Sequence, residues 1–331
     1  MEPSTEAQIK YLTNLKGATT FDASDHFPFM IKPKGNANAL LWAKENSDEL
    51  NKLLLQHGAL LLRGFEIGGA ETFNKMFSTI SGDAMAYNNR TSPREQVYSN
   101  VYTSTSHPND QNIYMHTENS YSSIFNRIIA FYCLKPANVG GETPIADERK
   151  LLAGLKKSTI EKFREKGIQY VRNSMPGIGL DWKTIYQTND RQKVNDILTS
   201  NGHHFTWVSD EHLRVKWSLP AFHQHPLTSE DMWFNHMYFG HKSLYDPAVL
   251  EFFSEEDLPF VTYYGDGSDI EPDVIKEFHD FYESESIVFK WEQDDFLLLD
   301  NLMFSHGRKP FQGERTILTA MGQPYQMDRN I

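Results

Sequence analysis

Short, wholly apolar runs that lie far apart in the chain constrain its fold more than any other feature. Ala59–Leu62, Ile128–Leu134 and Phe296–Leu299 each have the composition and length of a buried strand. None approaches the roughly 18 residues that a membrane-spanning helix requires. No linker-like stretch divides the 331 residues. We therefore expect a single domain, mostly β, in which helices are inserted between the strands and pack outside a β core.

Helical periodicity fills several of the intervals between these runs. The pattern predicts helices over residues 40–57, 70–80, 147–166 and 271–282, and further strands over 286–291 and 316–321. Residues 1–35 are predicted to form an irregular N-terminal arm. The polar residues 83–115 are predicted to form an active-site loop, because a long segment without periodicity is usually functional or disordered. Residues 172–285 are predicted to be an insert, with helices, that covers the core.

The charge balance excludes several classes of partner. Asp and Glu number 44 against 32 Lys and Arg, which gives a net charge of −12. Nucleic acids and anionic membranes both select a basic surface, so neither is an expected partner. The first residues have no basic or apolar segment typical of a secretion signal, and a single cysteine favours a reducing compartment. We therefore expect a cytoplasmic protein. With 13 histidines and one cysteine, any bound metal is expected to have His and carboxylate ligands.

His116-Thr117-Glu118 is the sharpest local motif. In a strand, residues i and i+2 point to the same face, so the imidazole and the carboxylate would project together. They would form two thirds of the facial triad that binds non-haem Fe(II). His306, which follows the run at 296–299, is the best candidate for the third ligand. The alternative is a strand with both side chains in solvent. His203-His204 and His223-x-His225 are interpreted as structural or surface residues.

The motifs together resemble the taurine dioxygenase/clavaminate synthase-like family of Fe(II)- and 2-oxoglutarate-dependent oxygenases. The matching blocks come in the family's order over about residues 55–320. They are HGALLLRGF at 57–65, the His116-x-Glu118 motif, GGETP at 140–144, FLLLDN at 296–301 followed by HGR at 306–308, and Arg315. The resemblance implies a double-stranded β-helix, or jelly-roll, core with flanking helices. It also implies Fe(II), 2-oxoglutarate and O2 as metal, co-substrate and oxidant.

The resemblance assigns roles to individual residues. His116, Glu118 and His306 would hold the iron. Arg315 would pair with the distal carboxylate of 2-oxoglutarate, with Arg308 as the competing assignment. Thr143 would donate its hydroxyl to the same carboxylate, although a plain turn role after the two glycines stays open. Related radical halogenases carry Ala or Gly at the position of Glu118, so the carboxylate favours oxygenation over halogenation.

Four residues are candidates for substrate contact. Asn112 occupies a position at which the family often has a substrate-contacting Asn. Arg90 and Arg94 lie in a segment that resembles members acting on amino acids or carrier-tethered aminoacyl groups. Asn235 lies in Trp233-Phe234-Asn235-His236, which resembles a pocket-wall segment of that subgroup. Each has an ordinary structural alternative: a turn, a solvated charge or core packing.

The resemblance therefore predicts an enzyme that hydroxylates an unactivated C–H bond of a small polar substrate and releases succinate and CO2. The substrate is expected to be an amino acid or a derivative, free or tethered to a carrier protein, in secondary metabolism. One alternative keeps the cofactors and changes the outcome to desaturation, cyclisation or rearrangement. The other is a non-catalytic jelly-roll binding protein. The sequence leaves the oligomeric state open.

Overall fold

The computed structural model describes residues 14–86, 94–105, 107–177 and 179–327. The strands are β1 (Ala18–Phe21), β2 (Phe29–Pro33), β3 (Ala59–Leu62), β4 (Gln96–Tyr98), β5 (Val101–Thr103), β6 (Ile113–His116), β7 (Ile124–Lys135), β8 (Val139–Gly140), β9 (Ile145–Asp147), β10 (Ile168–Ser174), β11 (His204–Trp207), β12 (Leu213–Leu219), β13 (Phe222–Gln224), β14 (Asp231–Trp233), β15 (Phe260–Tyr264), β16 (Phe296–Asp300), β17 (Phe304–Arg308), β18 (Phe311–Gln312) and β19 (Thr316–Gln326). The α-helices are α1 (Ala39–His57), α2 (Ala70–Ser81), α3 (Glu148–Gly154), α4 (Lys157–Lys166), α5 (Trp182–Tyr186), α6 (Arg191–Ser200), α7 (Pro247–Phe252) and α8 (Pro272–Glu285).

The predicted apolar strands lie side by side in the largest sheet. Its order is β1-β2-β3-β16-β7-β19-β5-β4, with β16 antiparallel to both β3 and β7. Its two faces are both buried, which explains why the strands are continuously apolar rather than alternating. Tyr132 and its same-face neighbours pack against α1 and α2, whereas Phe131 and Cys133 point into the interior of the domain. The free thiol of Cys133 is fully buried, as expected for a core residue.

A smaller sheet, with the order β6-β17-β9, provides strands for the opposite side of this interior. Ile145 of β9 and Phe304 of β17 belong to the same apolar cluster as Phe131. The ring of Phe131 lies 4.9 Å from the ring of His306, so the two sheets meet at this histidine. The mostly-β fold with flanking helices is therefore confirmed. This small sheet is the one that carries His116 and His306.

A four-stranded sheet, with the order β11-β12-β10-β15, forms most of the predicted insert and is called the insert sheet below. Its inward face is built from alternate residues such as Leu213, Val215 and Trp217, while the intervening Lys216 is exposed. This alternation is typical of an antiparallel sheet with one face in solvent. Helices α5 and α6 contribute Trp182, Val194 and Leu198 to the apolar cluster on the inward face.

Several predicted elements differ from the structure. The helix predicted over 147–166 is two helices, which break at Leu155-Lys156, where Lys156 forms an ion pair of 2.6 Å with Glu277 of α8. The strand predicted over 286–291 is limited to one isolated bridge between Ile287 and Ile145. The arm and the 83–115 loop are not wholly irregular, because they contain β1, β2, β4 and β5. Glu118 lies in a turn beyond β6, which ends at His116.

No helix among the described residues is long and apolar enough to span a membrane.

Candidate active site

His116 and His306 face each other across two antiparallel strands. They are register partners of β6 and β17, and their rings lie 4.4 Å apart. The Nδ1 of His116 lies 2.8 Å from the carbonyl oxygen of Tyr114. A donor N–H at this nitrogen leaves Nε2 as the free lone pair, which is how a second contact orients a metal-binding imidazole. Residues 190 positions apart in the chain are thereby brought to one point.

Glu118 is held in position by its main chain. Its N–H donates to Oδ1 of Asn301 at 2.8 Å, and Nδ2 of Asn301 donates back to its carbonyl oxygen at 2.9 Å. The same amide nitrogen also donates to the carbonyl oxygen of Asn126 on β7. Asn301 is fully buried and therefore fixes the turn that follows β6 to the large sheet. This arrangement, rather than a continued strand, directs the Glu118 carboxylate towards the two histidines.

The ligand atoms offered by His116, Glu118 and His306 all lie within 4.8 Å of one another. Burial lowers the pKa of His116 and lowers that of His306 well below its usual value. Both imidazoles are therefore neutral at neutral pH, the form that binds a metal. His306 Nδ1 is buried and has no hydrogen-bond partner among the described residues, and Nε2 lies 3.9 Å from Glu118, too far for a hydrogen bond. Two neutral imidazoles and one carboxylate fit a 2-His-1-carboxylate iron site.

Arg94 contacts this cluster from the segment just before β4. Its Nη2 donates to Oε2 of Glu118 at 2.8 Å, and both side chains are buried. The structure therefore places Arg94 at the predicted iron site. Its observed partner is the carboxylate of Glu118. Arg90, the other arginine predicted in this segment, lies outside the described residues.

Arg315 and Thr143, the two residues that the resemblance assigns to 2-oxoglutarate, lie next to each other. Arg315 donates from Nε to the carbonyl oxygen of Gly141 at 2.9 Å and from Nη2 to Oγ1 of Thr143 at 3.4 Å. A second donor, Nε1 of Trp291, lies 3.1 Å from the same hydroxyl oxygen. Because two N–H groups donate to this oxygen, the O–H of Thr143 remains available to donate to another acceptor. Burial lowers the pKa of Arg315 to about 10, so it remains a cation at neutral pH.

The two glycines before Thr143 allow this close approach. Gly140 and Gly141 both have positive φ angles. A Cβ at Gly141 would lie 2.9 Å from Cδ of Arg315, and one at Gly140 would lie 2.2 Å from the carbonyl oxygen of Pro310. The GGETP segment is therefore the backbone surface against which the Arg315 side chain lies.

Arg308 has a different set of partners. Its guanidinium donates to the carbonyl oxygens of His107, Pro108 and Gln111 and so holds the turn that leads into β6. Its charge also lowers the pKa of Arg315. Both guanidinium groups lie close to the ring of Phe311, at 5.3 and 5.5 Å. Two neighbouring cations favour an anion at this end of the small sheet. Arg315 is the one that contacts Thr143.

Of the two remaining substrate candidates, Asn112 lies away from the histidines, and the side chain of Asn235 already has hydrogen-bond partners within the protein. Asn112 is exposed at the start of β6, at the opposite end of that strand from His116. Asn235 is buried, and its side chain donates to the carbonyl oxygen of Ala221 and accepts from the N–H of Met237. Its own carbonyl accepts from Thr117 at 3.4 Å. Asn235 therefore braces the central residue of the His116 motif.

The other histidine pairs are not part of the cluster, as predicted. His225 is buried and bonded to Asp300 at 3.0 Å, and His203 stacks on Trp217. The sequence reasoning missed two residues with a positioning role, Asn301 and Trp291. Asn301 was signalled by its place in the FLLLDN block. Trp291 lies in the segment that was predicted as a strand.

Gly307 is also part of the site, because it allows the two histidine strands to lie close together. It follows His306 on β17, at the point where the pairing register with β6 shifts. A Cβ on Gly307 would lie 2.6 Å from the carbonyl oxygen of Ile113 and 3.2 Å from Sδ of Met115.

Comparison with known proteins decides the family. The sequence model of the taurine catabolism dioxygenase TauD, TfdA family matches residues 30–321. The chain belongs to this family. Among curated members, the dapdiamide synthesis protein DdaC of Enterobacter agglomerans is 34% identical over 83% of this chain and 85% of its own. A clavaminate synthase-like protein of Arabidopsis thaliana is 27% identical over 84% and 85%.

Solved structures share the fold. PvcB of Pseudomonas aeruginosa superimposes with a TM-score of 0.57 at 16% identity, covering 94% of this chain and 92% of its own. Another structure of PvcB describes it as an Fe, alpha-ketoglutarate dependent oxygenase from an isonitrile synthetic pathway. AAD-2, solved with Mn(II) and N-oxalylglycine, gives 0.52 at 11% identity, covering 92% and 96%. The jelly-roll prediction is confirmed, as is the enzyme class of the TauD family: a non-haem dioxygenase with Fe(II) and 2-oxoglutarate.

Proposed function

We propose that this chain hydroxylates an unactivated C–H bond of an amino acid or a derivative, with iron held by His116, Glu118 and His306. The observation that carries this proposal is the convergence of the three ligand atoms within 4.8 Å, beside the Arg315–Thr143 pair. Bound there, Fe(II) would supply O2 activation coupled to the decarboxylation of 2-oxoglutarate to succinate. A non-catalytic protein would have no need of this complete set.

The protein's own contribution is binding, orientation and exclusion of water. Arg315 would bind the distal carboxylate of 2-oxoglutarate as a guanidinium, and the O–H of Thr143 would donate to the same group. Trp291 holds that hydroxyl from the other side. Arg94 would hold one oxygen of Glu118, so that its other oxygen faces the metal. Phe131 packs against His306 and keeps this side of the site apolar.

The substrate class is supported by the relatives as well as by the motifs. The curated relative with 34% identity is named for dapdiamide synthesis, and PvcB is described as part of an isonitrile synthetic pathway. Both favour a small molecule of secondary metabolism. The single cysteine is free and buried, which supports a reducing compartment such as the cytoplasm.

The test has two stages. Binding of Mn(II) and 2-oxoglutarate is first measured by calorimetry, with 2-oxoglutarate titrated in the presence and absence of the metal. Succinate formation with Fe(II) under oxygen is then measured across the proteinogenic amino acids and their amides, and products are examined by mass spectrometry. A product heavier by one oxygen supports hydroxylation, whereas the loss of two hydrogens shows desaturation. Absence of metal-dependent 2-oxoglutarate binding would refute the proposal as a whole.

A further inference from the structure

The insert sheet buries a cation for which the described residues offer no carboxylate. Arg172 on β10 is 8% exposed, and none of the ion pairs among the described residues includes it. A buried charge without a counter-charge costs several kcal/mol, so natural proteins normally pair it. Three other buried arginines follow that rule: Arg63 pairs with Asp295, Arg127 with Asp300 and Arg94 with Glu118. Buried Arg308 is instead bonded to three main-chain carbonyl oxygens.

Aromatic rings surround the Arg172 guanidinium instead. Its central carbon lies 5.3 Å from the ring of Tyr121, 5.3 Å from that of Trp217 and 5.7 Å from that of Phe260. Cation–π attraction acts on the flat face of a guanidinium, whereas its N–H donors lie in the plane. The edge of the group therefore keeps its hydrogen-bonding capacity. Nη2 is buried and has no hydrogen-bond partner among the described residues.

Two further buried donors on the same side of the insert sheet also have no partner within the described part of the chain. They are Oγ of Ser174 and Nε1 of Trp182. Ser174 follows Arg172 by two positions on β10, so both side chains point to the inward face. The ring of Trp182 packs at 5.2 Å against Trp207, which is in register with Leu213, itself the partner of Ser174.

Helix α5 therefore lies over the row of the sheet that carries these donors. Tyr186 lies one turn after Trp182. Burial raises the pKa of Tyr186, and the positive charge of Arg172 lowers it by a smaller amount. With five residues, α5 is too short to be stable alone.

We propose that Arg172, Ser174 and Trp182 form a carboxylate-binding subsite that receives the free carboxylate of the substrate. One cationic and two neutral donors match a singly charged carboxylate, and the aromatic rings match apolar atoms beside it. A bound carboxylate would supply both the hydrogen-bond acceptor that Ser174 and Trp182 lack and the counter-charge that Arg172 lacks.

The subsite is connected to the iron site by two ring contacts. The ring of Tyr121 lies 5.1 Å from that of His236, and His236 lies 5.4 Å from His116. Tyr121 itself follows Glu118 by three residues. This inference rests on the proposed function, because it assigns one end of that substrate. It also decides between the two forms left open by the sequence, since an aminoacyl group tethered to a carrier has no free carboxylate.

The first experiment tests the subsite without knowledge of the substrate. The full-length protein, saturated with Mn(II) and 2-oxoglutarate, is titrated with formate while tryptophan fluorescence is recorded, because Trp182, Trp207 and Trp217 all lie at the subsite. We expect a saturable change with formate and none with the neutral formamide. Arg172→Gln should raise the dissociation constant of formate by about 10- to 100-fold, the effect of a lost charged hydrogen bond.

Two further variants keep the result interpretable. Arg191→Gln is the matched control, because Arg191 lies 4.0 Å over the ring of Trp207 but is exposed and paired with Asp210. It should leave formate binding unchanged. Trp182→Phe keeps an aromatic side chain but removes the N–H donor, and it should weaken formate binding by about fivefold. It tests the subsite even if Arg172→Gln fails to fold. A wild-type protein without a saturable response, or equal binding in all variants, would overturn the proposal.

The second experiment tests the source of the carboxylate. Amino acids that stimulate succinate formation are compared with their amides, in which the carboxylate is replaced by a neutral group. Arg172→Gln should weaken apparent binding of the acid, seen as a higher half-saturating concentration, and should leave the affinity for 2-oxoglutarate unchanged. Stimulation by amides alone, or by no free amino acid although formate binds, would overturn the assignment to the substrate. Failure of the proposed function is distinguishable, because it abolishes metal-dependent 2-oxoglutarate binding in the wild type.

Discussion

The small sheet and the insert sheet bury polar groups in opposite ways. In the small sheet, the carboxylate of Glu118 already meets two imidazoles and a guanidinium, and its main chain is bonded on both sides by Asn301. In the insert sheet, the described surroundings of Arg172 are aromatic rings, and neighbouring donors have no acceptor among the described residues. A site for a permanent metal can be organised by the protein alone. A site for a transient ligand, in contrast, has hydrogen-bond donors that stay unpaired until the ligand binds.

The largest expected effect is on Mn(II) affinity, and it should distinguish His306 of the small sheet from His204 of the insert sheet. His306→Ala removes one of three metal ligands and should reduce Mn(II) affinity by at least about 100-fold. The reason is that His116 and Glu118 alone provide only two of the three ligands of a facial triad. Calorimetric titration with Mn(II) measures this. His204→Ala, at an exposed position on β11, is the control and should bind Mn(II) as the wild type does. Unchanged Mn(II) affinity in His306→Ala would exclude the assigned triad.

The next effect separates the two arginine sites. Arg315→Gln removes a charged donor from the 2-oxoglutarate carboxylate and should raise its dissociation constant by about 10- to 100-fold, with Mn(II) affinity retained. Titration of 2-oxoglutarate into the Mn(II)-loaded protein measures it. Arg172→Gln should leave that constant unchanged. If Arg308→Gln alone weakened 2-oxoglutarate binding, the competing assignment of Arg308 would be correct.

A third prediction concerns Glu148, which lies between the two regions. This buried carboxyl accepts from Tyr282 of α8, and burial raises its pKa to about 8. The folded protein therefore keeps a proton that the unfolded chain releases above its ordinary pKa. The free energy of unfolding should fall between about pH 5 and pH 8, by up to about 1.4 kcal/mol per pH unit. Urea denaturation across this range measures the slope.

Glu148→Gln cannot ionise, so its stability should be less dependent on pH over the same range. Glu165→Gln, at an exposed position on α4, is the control and should keep the wild-type slope. An identical slope in Glu148→Gln and wild type would show that Glu148 is ionised in the folded protein.

The smallest expected effect concerns Trp291. Trp291→Phe keeps an aromatic side chain but removes the N–H that donates to Thr143, so the hydroxyl loses one of the two donors that orient it. The dissociation constant of 2-oxoglutarate should rise by about fivefold, the value of one neutral hydrogen bond, and Mn(II) affinity should not change. Trp233→Phe, on β14, is the control and should leave the affinity for 2-oxoglutarate unaltered. Equal affinity in Trp291→Phe and wild type would show that Arg315 alone orients Thr143.

The sequence predicted those parts that depend on local patterns. The strand 59–62 has the expected bounds, and the strand 296–300 extends the apolar run 296–299 by one residue, because uninterrupted apolar runs are buried on both faces. Long-range contacts decided the rest. The helix break at Leu155-Lys156 directly follows Gly154, but the apolar periodicity continues across it and predicts one helix. The ion pair of Lys156 with Glu277 of α8 accompanies the break. Arg172 lies in no motif, and its surroundings come from three separate segments, so local reasoning had no means of identifying it.

Gly307 gives the motif around His306 a meaning beyond metal ligation. Any side chain there would press on the main chain of β6 and drive β17 away from it, carrying His306 away from His116. The short distance between the two imidazoles therefore depends on the absence of a Cβ atom at position 307. A chain could keep every metal ligand and every contact to 2-oxoglutarate, yet lose its iron through a single added methyl group.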